Sequence, residues 1–150
     1  MPDTTITFRE ACRQDEGYLV DVTLETMQRV FESSVGHSLT KEAILEIIHS
    51  CDVTLIIEQD GRPVGYTCYA HTAPGRMYWA SLVLSPHAQG GGIGRQVTRH
   101  IVQTARARGV RVIDGHVQLQ NRRAVDYWFR RGFRPSGPPV QGSLPICLWI

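Results

Sequence analysis

A glycine-rich turn joins a strand-like segment to an amphipathic segment, and this junction restricts the fold more than any other feature of the chain. The apolar run from Trp79 to Leu84 predicts a strand, which Ser85-Pro86 ends. The turn reads Gln-Gly-Gly-Gly-Ile-Gly over residues 89–94. Apolar residues then recur every three to four positions up to Gly109 (Ile93, Val97, Ile101, Val102 and Ala105). That spacing predicts a helix beginning in the turn.

A strand, a glycine turn and a helix in this order are suited to holding an anion. The first turn of a helix carries backbone N–H groups without intrahelical partners, at the positive end of the helix dipole. Glycines let a phosphate approach those groups because they have no side chain. The junction therefore predicts a phosphate site, and the alternative is an ordinary glycine-rich surface turn that caps a helix.

The spacing of the glycines excludes two common phosphate motifs. A dinucleotide fingerprint, G-x-G-x-x-G, would need glycine where Arg95 or Val97 stands. A nucleoside triphosphate loop needs a lysine directly after its last glycine, and the only lysine of the chain is Lys41. The pattern that does fit is Q-x-x-G-x-G at Gln89, Gly92 and Gly94.

That pattern, following a strand with L-x-L-x-P at residues 82–86, resembles the acetyl-CoA signature of the GNAT superfamily of N-acetyltransferases. A second signature of that family is matched by Val117, Asn121, Ala124, Gly132 and Phe133. The resemblance is strong from Met77 to Phe133. It implies an α+β, single-domain GNAT fold over residues 1–150, with a mixed, mostly antiparallel seven-stranded sheet flanked by about four helices.

The order of elements read from the residues agrees with that fold. Strands are predicted at residues 6–9, 53–58, 63–69, 77–84, 110–117 and 144–150, with another after Gly132. Asp60-Gly61 predicts a hairpin between the second and third strands. Helices are predicted from Asp15 to a break at residues 33–36, over 41–49 with Ile47 facing inward, after the glycine turn, and over 121–131. We expect the final strand to be exposed and available for pairing in a homodimer.

The resemblance also implies a coenzyme site. Its residues would be Leu82, Val83, Leu84, Gln89, Gly90, Gly91, Gly92, Ile93, Gly94, Arg95, Asn121, Ala124 and Trp128. The strand at 82–84 would pair with the pantetheine arm, and residues 89–95 would wrap the pyrophosphate. Arg95 has two readings, a phosphate contact or a solvated helix residue. Asn121 also has two, a helix N-cap or a contact to the pantetheine, and both may hold at once.

The catalytic residues implied by the resemblance are Leu82, His116 and Trp128. The Leu82 N–H would stabilise the oxyanion, and His116 would act as base where some members have a glutamate. A hydrogen-bonded or solvated strand histidine is the structural alternative. Ala80 stands at another glutamate position of the family. Trp128 replaces the tyrosine that usually protonates the departing thiolate, and the neighbouring Tyr127 should point elsewhere.

The function predicted is acetyl transfer from acetyl-CoA to a primary amine of a small molecule, an amino acid, an antibiotic or a peptide. The alternative is a non-catalytic acyl-CoA sensor or interaction module. A net charge of +2 without a basic stripe gives no indication of nucleic-acid binding. No apolar run is long enough to span a membrane, so we expect a cytoplasmic protein. The cysteine and histidine spacings predict neither a metal site nor disulfides.

Overall fold

The computed structural model of the protein describes residues 5–35 and 39–150, with the backbone alone for residues 28–35. The helices are α1 (Glu16–Val35), α2 (Lys41–His49), α3 (Ile93–Ala107) and α4 (Arg122–Arg130). The strands are β1 (Thr7–Glu10), β2 (Val53–Gln59), β3 (Arg62–Ala73), β4 (Arg76–Leu84), β5 (Val112–Gln118), β6 (Arg134–Pro135) and β7 (Ser143–Trp149). The expected α+β architecture, seven strands with four helices, is confirmed.

The strands form one mixed sheet in the order β1-β2-β3-β4-β5-β7-β6. All neighbours are antiparallel except β4 and β5, which run parallel because α3 crosses over between them. The expectation that the final strand is an exposed edge is wrong. β7 pairs with β5 along its whole length and with β6 near its C-terminal end, so the two-residue β6 forms the edge.

The two faces of the sheet carry separate apolar cores. One core lies beneath α3 and α4 and includes Val97, Ile101 and Ala105 of α3 against Trp79 and Ile113 of the sheet. The other lies beneath α1 and α2 and brings the apolar faces of these helices onto β2, β3 and β4 (Leu19, Val22, Ile44, Ile48, Ile56, Tyr66, Cys68 and Val83). The sheet therefore separates two helical layers, α3 with α4 on one face and α1 with α2 on the other.

Local signals set most helix boundaries. Thr40 and Asn121 cap α2 and α4 through their side-chain oxygens, which accept from Ala43 N at 3.1 Å and Ala124 N at 3.2 Å. The helix α1 continues to Val35, through the first three residues of the break predicted at residues 33–36, and position 36 lies outside the described residues. The sequence also predicts Val30 and Phe31 on the apolar face of this helix, and their side chains lie outside the described residues.

Ile47 departs from its predicted inward position on α2, because its side chain is 44% exposed. Ile44 and Ile48 alone among the residues of this helix are buried. Within residues 5–35 and 39–150, no helix combines the length and apolar character needed to cross a membrane.

Candidate active site

β4 and β5 separate after a short stretch of pairing, and this separation creates the site. Their register runs only from Arg76–Val112 to Tyr78–Asp114. Beyond it, the pairing of β4 with β3 skips Ala80, since Cys68 pairs with Ser81 and Tyr69 with Trp79. An extra residue of this kind bends and twists a strand, which directs the end of β4 away from β5.

A cavity of about 360 Å³ occupies the space between the diverging strands. Its wall includes Thr23, Met27 and Ile44 from the α1–α2 side of the sheet. It also includes Ala124 and Trp128 from the α4 side. The cavity therefore runs through the sheet, and two reactants entering from opposite faces would meet between β4 and β5.

The backbone of Leu82 faces this opening. Ser85 N donates to Val64 O at 2.8 Å, so Ser85 and Val64 are a hydrogen-bonded antiparallel pair. Bonded and non-bonded pairs alternate, which places Leu82 opposite Thr67 in a non-bonded pair. The N–H and C=O of Leu82 consequently point away from β3 and toward β5, where the strand register has already ended.

The glycine turn lies next to β4 and presents backbone donors. Gly90 and Gly92 have φ of 84° and 86°, in the left-handed region that glycine adopts without strain. Gly92 is the N-cap of α3 and no side chain caps this helix, in contrast to α2 and α4. The first intrahelical bond is Gln96 N to Gly92 O at 3.1 Å, which leaves the amides of residues 93–95 for a ligand.

Two residues of the signature have contacts within the protein. The Gln89 side chain donates from Nε2 to Leu84 O at 3.1 Å and thereby ties the turn to the end of β4. A Cβ on Gly94 would lie 3.3 Å from the Tyr127 hydroxyl, so a larger residue here would require the Tyr127 side chain to shift by a few tenths of an ångström. The same hydroxyl hydrogen-bonds Thr98 Oγ1 at 3.0 Å. The prediction that Tyr127 points elsewhere than Trp128 is confirmed.

Two arginines lie beside the turn. Arg95 Nη2 lies 3.4 Å from the point where a Cβ would stand if Gly92 had a side chain. Arg123 Nη2 lies 3.9 Å from the corresponding point on Gly90. Arg123 was not among the predicted site residues, because it lies on α4, remote in sequence from the turn. Together with the free amides of α3, these guanidinium groups make this end of the cleft suited to phosphate groups.

His116 lies in the cavity wall and forms a hydrogen bond that the sequence did not indicate. Its Nδ1 is 2.7 Å from the hydroxyl of Tyr78, another residue of the wall. Burial of the Tyr78 ring is the main cause that raises the pKa of Tyr78 above its ordinary value, so this phenol keeps its proton at neutral pH. On the same face of β5, Asp114 is held by Arg76 through bonds of 3.0 and 2.7 Å.

The remaining predicted residues divide between the cavity and its surroundings. Leu82, Val83, Asn121, Ala124 and Trp128 line it, whereas Leu84 and residues 89–95 do not. The Trp128 ring meets Trp79 edge to face, with centroids 4.9 Å apart. Gln118 also lines the cavity, and its Oε1 is buried without a partner in the described structure. Sequence reasoning missed it; its position two residues after His116 was the available signal.

Comparison with known proteins assigns the family. A family model described as acetyltransferase (GNAT) family matches residues 18–133. The chain belongs to this family. Acetyl transfer is therefore the general activity of this GNAT acetyltransferase, and acetyl-CoA is the coenzyme expected in its cleft. No curated protein matches its sequence.

Solved structures show the same fold at low sequence identity. The acetyltransferase is similar to PaiA N-acetyltransferase from Thermoplasma acidophilum in complex with coenzyme A, with 16% identity, a TM-score of 0.81, and 97% of this chain and 99% of that chain covered. It is also similar to an acetyltransferase from Thermus thermophilus, with 18% identity, a TM-score of 0.79 and full coverage of both chains. For the ribosomal-protein-alanine N-acetyltransferase from Brucella melitensis the identity is 20%, the TM-score 0.68 and the coverage 96% and 99%.

Proposed function

We propose that this protein transfers the acetyl group of acetyl-CoA to a primary amine by direct attack in a ternary complex. The observation that carries the proposal is the cavity between β4 and β5, which opens to both faces of the sheet and has the Leu82 backbone pointing into it. Such a passage places two reactants in line without a covalent enzyme intermediate, and holding them so supplies much of the rate enhancement.

The coenzyme would lie along the open side of β4. The backbone of residues 82–84 pairs with the pantetheine arm as an added strand, because β5 leaves this edge unpaired. The pyrophosphate lies on the amides of residues 89–95, with the dipole of α3 behind them. Arg95 and Arg123 contact phosphate oxygens from either side of the turn.

The reaction requires an oxyanion donor and a base. The amine nitrogen forms a bond to the acetyl carbon, the carbon–sulfur bond breaks, and sulfur leaves as the CoA thiolate. In the tetrahedral intermediate the carbonyl oxygen is negative, and the Leu82 N–H donates to it. His116 Nε2 takes the proton of the attacking amine in the tautomer whose Nδ1–H donates to the Tyr78 oxygen, and Tyr78 thus positions the base.

Two cavity residues would orient the ligands. Gln118 Oε1, buried and without a described partner, accepts a hydrogen bond from an N–H of coenzyme or acceptor. Asn121 uses its Oδ1 to cap α4 and lies in the same wall, so one residue serves both helix and ligand.

Trp128 gives the thiolate no proton, since an indole N–H donates a hydrogen bond but does not ionise usefully. The thiolate leaves unassisted, which is reasonable for a group whose conjugate thiol has a pKa of about 8.5. This residue is also the observation that favours the second candidate, an acyl-CoA-binding module without turnover. Placement of the protein in the cytoplasm as a homodimer stays a prediction.

Acetyl-CoA turnover on a panel of amines distinguishes the two candidates. We expect one CoA thiol to be released for each acetylated amine, with the product identified by mass spectrometry. Calorimetric titration with CoA runs in parallel. Binding of CoA without turnover on any amine would favour the module, and absence of CoA binding by folded protein would overturn both candidates.

A further inference from the structure

The wall of the cavity on the α1–α2 side is made mainly of hydrocarbon. Most of its members are apolar or aromatic (Met27, Leu39, Ile44, Ile47, Tyr66, Tyr78, Ala80 and Val83), and its polar members are Thr23, Ser81, His116 and Gln118. Ile47 lies at the solvent side of this wall, since its side chain is 44% exposed although most large apolar residues of the layer are buried. An exposed isoleucine lining a cavity is a surface for an apolar ligand.

The polar atoms of this wall bond to one another. Thr23 Oγ1 donates to Leu19 O at 2.6 Å and also lies 2.6 Å from the Tyr66 hydroxyl. The Tyr78 hydroxyl is bonded to His116 Nδ1 at 2.7 Å. The ring of His116, the amide of Gln118 and the hydroxyl of Ser81 are the other polar side-chain groups of this side.

No Asp, Glu, Lys or Arg side chain lines the cavity within the described residues. Asp114, two residues before His116 on β5, is bonded to Arg76, and Glu16 of α1 is bonded to His49 at 2.9 Å. Glu25 of α1 and Glu42 and Glu46 of α2 are exposed to solvent. A second charge on the acceptor would lose its water here without gaining a counterion from any described side chain, which is unfavourable.

The volume further limits the acceptor. A cavity of about 360 Å³ must hold the acetylated end of the coenzyme as well as the amine. Ligand cavities in proteins range from roughly 300 to 1,000 Å³, so this one is small. The part of the acceptor that lies beside the thioester inside this cavity is therefore small.

We infer that the acceptor is a small primary amine on an uncharged apolar or aromatic carrier. This inference rests on the proposed amine acetylation and specifies its substrate class. The apolar wall also assists the chemistry, because weak solvation disfavours the ammonium form and leaves more of the bound amine as the neutral nucleophile.

The test uses three amines built on the same five-methylene chain with acetyl-CoA: n-hexylamine, 1,5-diaminopentane and 6-aminohexanoate. They end in a methyl group, an ammonium and a carboxylate, so only the distal group differs. We expect kcat/KM for hexylamine, corrected for the neutral amine fraction, to exceed that of either charged analogue at least about tenfold, because a charged end is desolvated without a counterion. A charged analogue equal to or better than hexylamine would overturn the inference.

Ile47→Glu tests whether the lack of a counterion causes this preference, because it adds a carboxylate to the wall. Ile47→Gln is the neutral control of the same size as glutamate, and Gln103→Glu places the same charge on the exposed face of α3. We expect Ile47→Glu alone to raise the diamine-to-hexylamine ratio, by about tenfold for a new ion pair in a partly dry site. An unchanged ratio would refute the charge argument. Absence of transfer to all three amines while another amine of the panel is acetylated would overturn the inference alone. Absence of transfer to every amine despite CoA binding would overturn the proposed function, and the inference with it.

Discussion

The α3 side and the α1–α2 side of the sheet present opposite chemistry to the same cleft. The α3 side offers uncapped backbone amides and two arginines, Arg95 and Arg123, around a glycine turn. The α1–α2 side offers hydrocarbon and hydroxyl groups that are already bonded, such as Thr23 with Tyr66. Backbone donors recognise phosphate in whatever sequence supports the turn, whereas side-chain packing changes with every substitution. Under the proposed function, the main chain would set coenzyme binding and side chains would set acceptor choice.

The largest effect that would test this division is expected at His116, on the acceptor side. His116→Ala should lower kcat about 100-fold, the contribution typical of a positioned base. The CoA dissociation constant should stay unchanged in calorimetry, because the phosphate turn is remote from this residue. Undiminished turnover would remove His116 from the mechanism.

Substitution of Tyr78 tests whether this residue acts through His116. If it acts only by positioning His116, Tyr78→Phe lowers kcat by about tenfold alone and has no further effect in His116→Ala, since residues acting as a unit are not additive. Equal losses in both backgrounds would show that Tyr78 has an independent role.

A smaller effect is expected on the coenzyme side, at Gly92. Gly92→Ala forces alanine to φ near 86°, which costs on the order of 1–2 kcal/mol and should weaken CoA binding about tenfold as the turn readjusts. Gly61→Ala is the matched control, because Gly61 has φ of 76° with nothing within 4 Å and lies in the β2–β3 hairpin. Equal CoA affinity in both variants would contradict the assignment of the turn.

The smallest effect is expected where the two sides meet, at Trp128. Trp128→Tyr should raise kcat by about threefold only, since a thiolate whose thiol has a pKa of about 8.5 leaves readily without an acid. Trp128→Phe removes the same indole without adding a hydroxyl and should give no such gain. If both variants turned over equally fast, a missing acid would have no importance for this enzyme.

Local signals explain why much of the fold was predictable. Thr40 and His49 bound α2 as expected, since the cap and the end of the apolar period lie within the helix itself. The Asp60-Gly61 turn and the glycine junction after β4 were equally readable, because both depend on backbone conformations that few residues adopt. These features lie within a few residues of the atoms they control.

Other features required the folded chain. The final strand could not be placed between β5 and β6 from its own residues, since the order of a sheet depends on which distant edges meet. The predicted burial of Ile47 was likewise wrong. The apolar spacing of α2 places this side chain in the core, but in the folded chain it lines the cavity that opens where β5 departs from β4.

The sequence by itself determined the strand–turn–helix junction and the family, because the spacing of Gln89, Gly92 and Gly94 acts through backbone geometry over a few bonds. Only the tertiary structure decided what the acceptor meets. Tyr78 and His116 are 38 residues apart, and their bond exists because parallel strands bring their side chains to one face. A contact of that kind depends on the packing of the whole sheet.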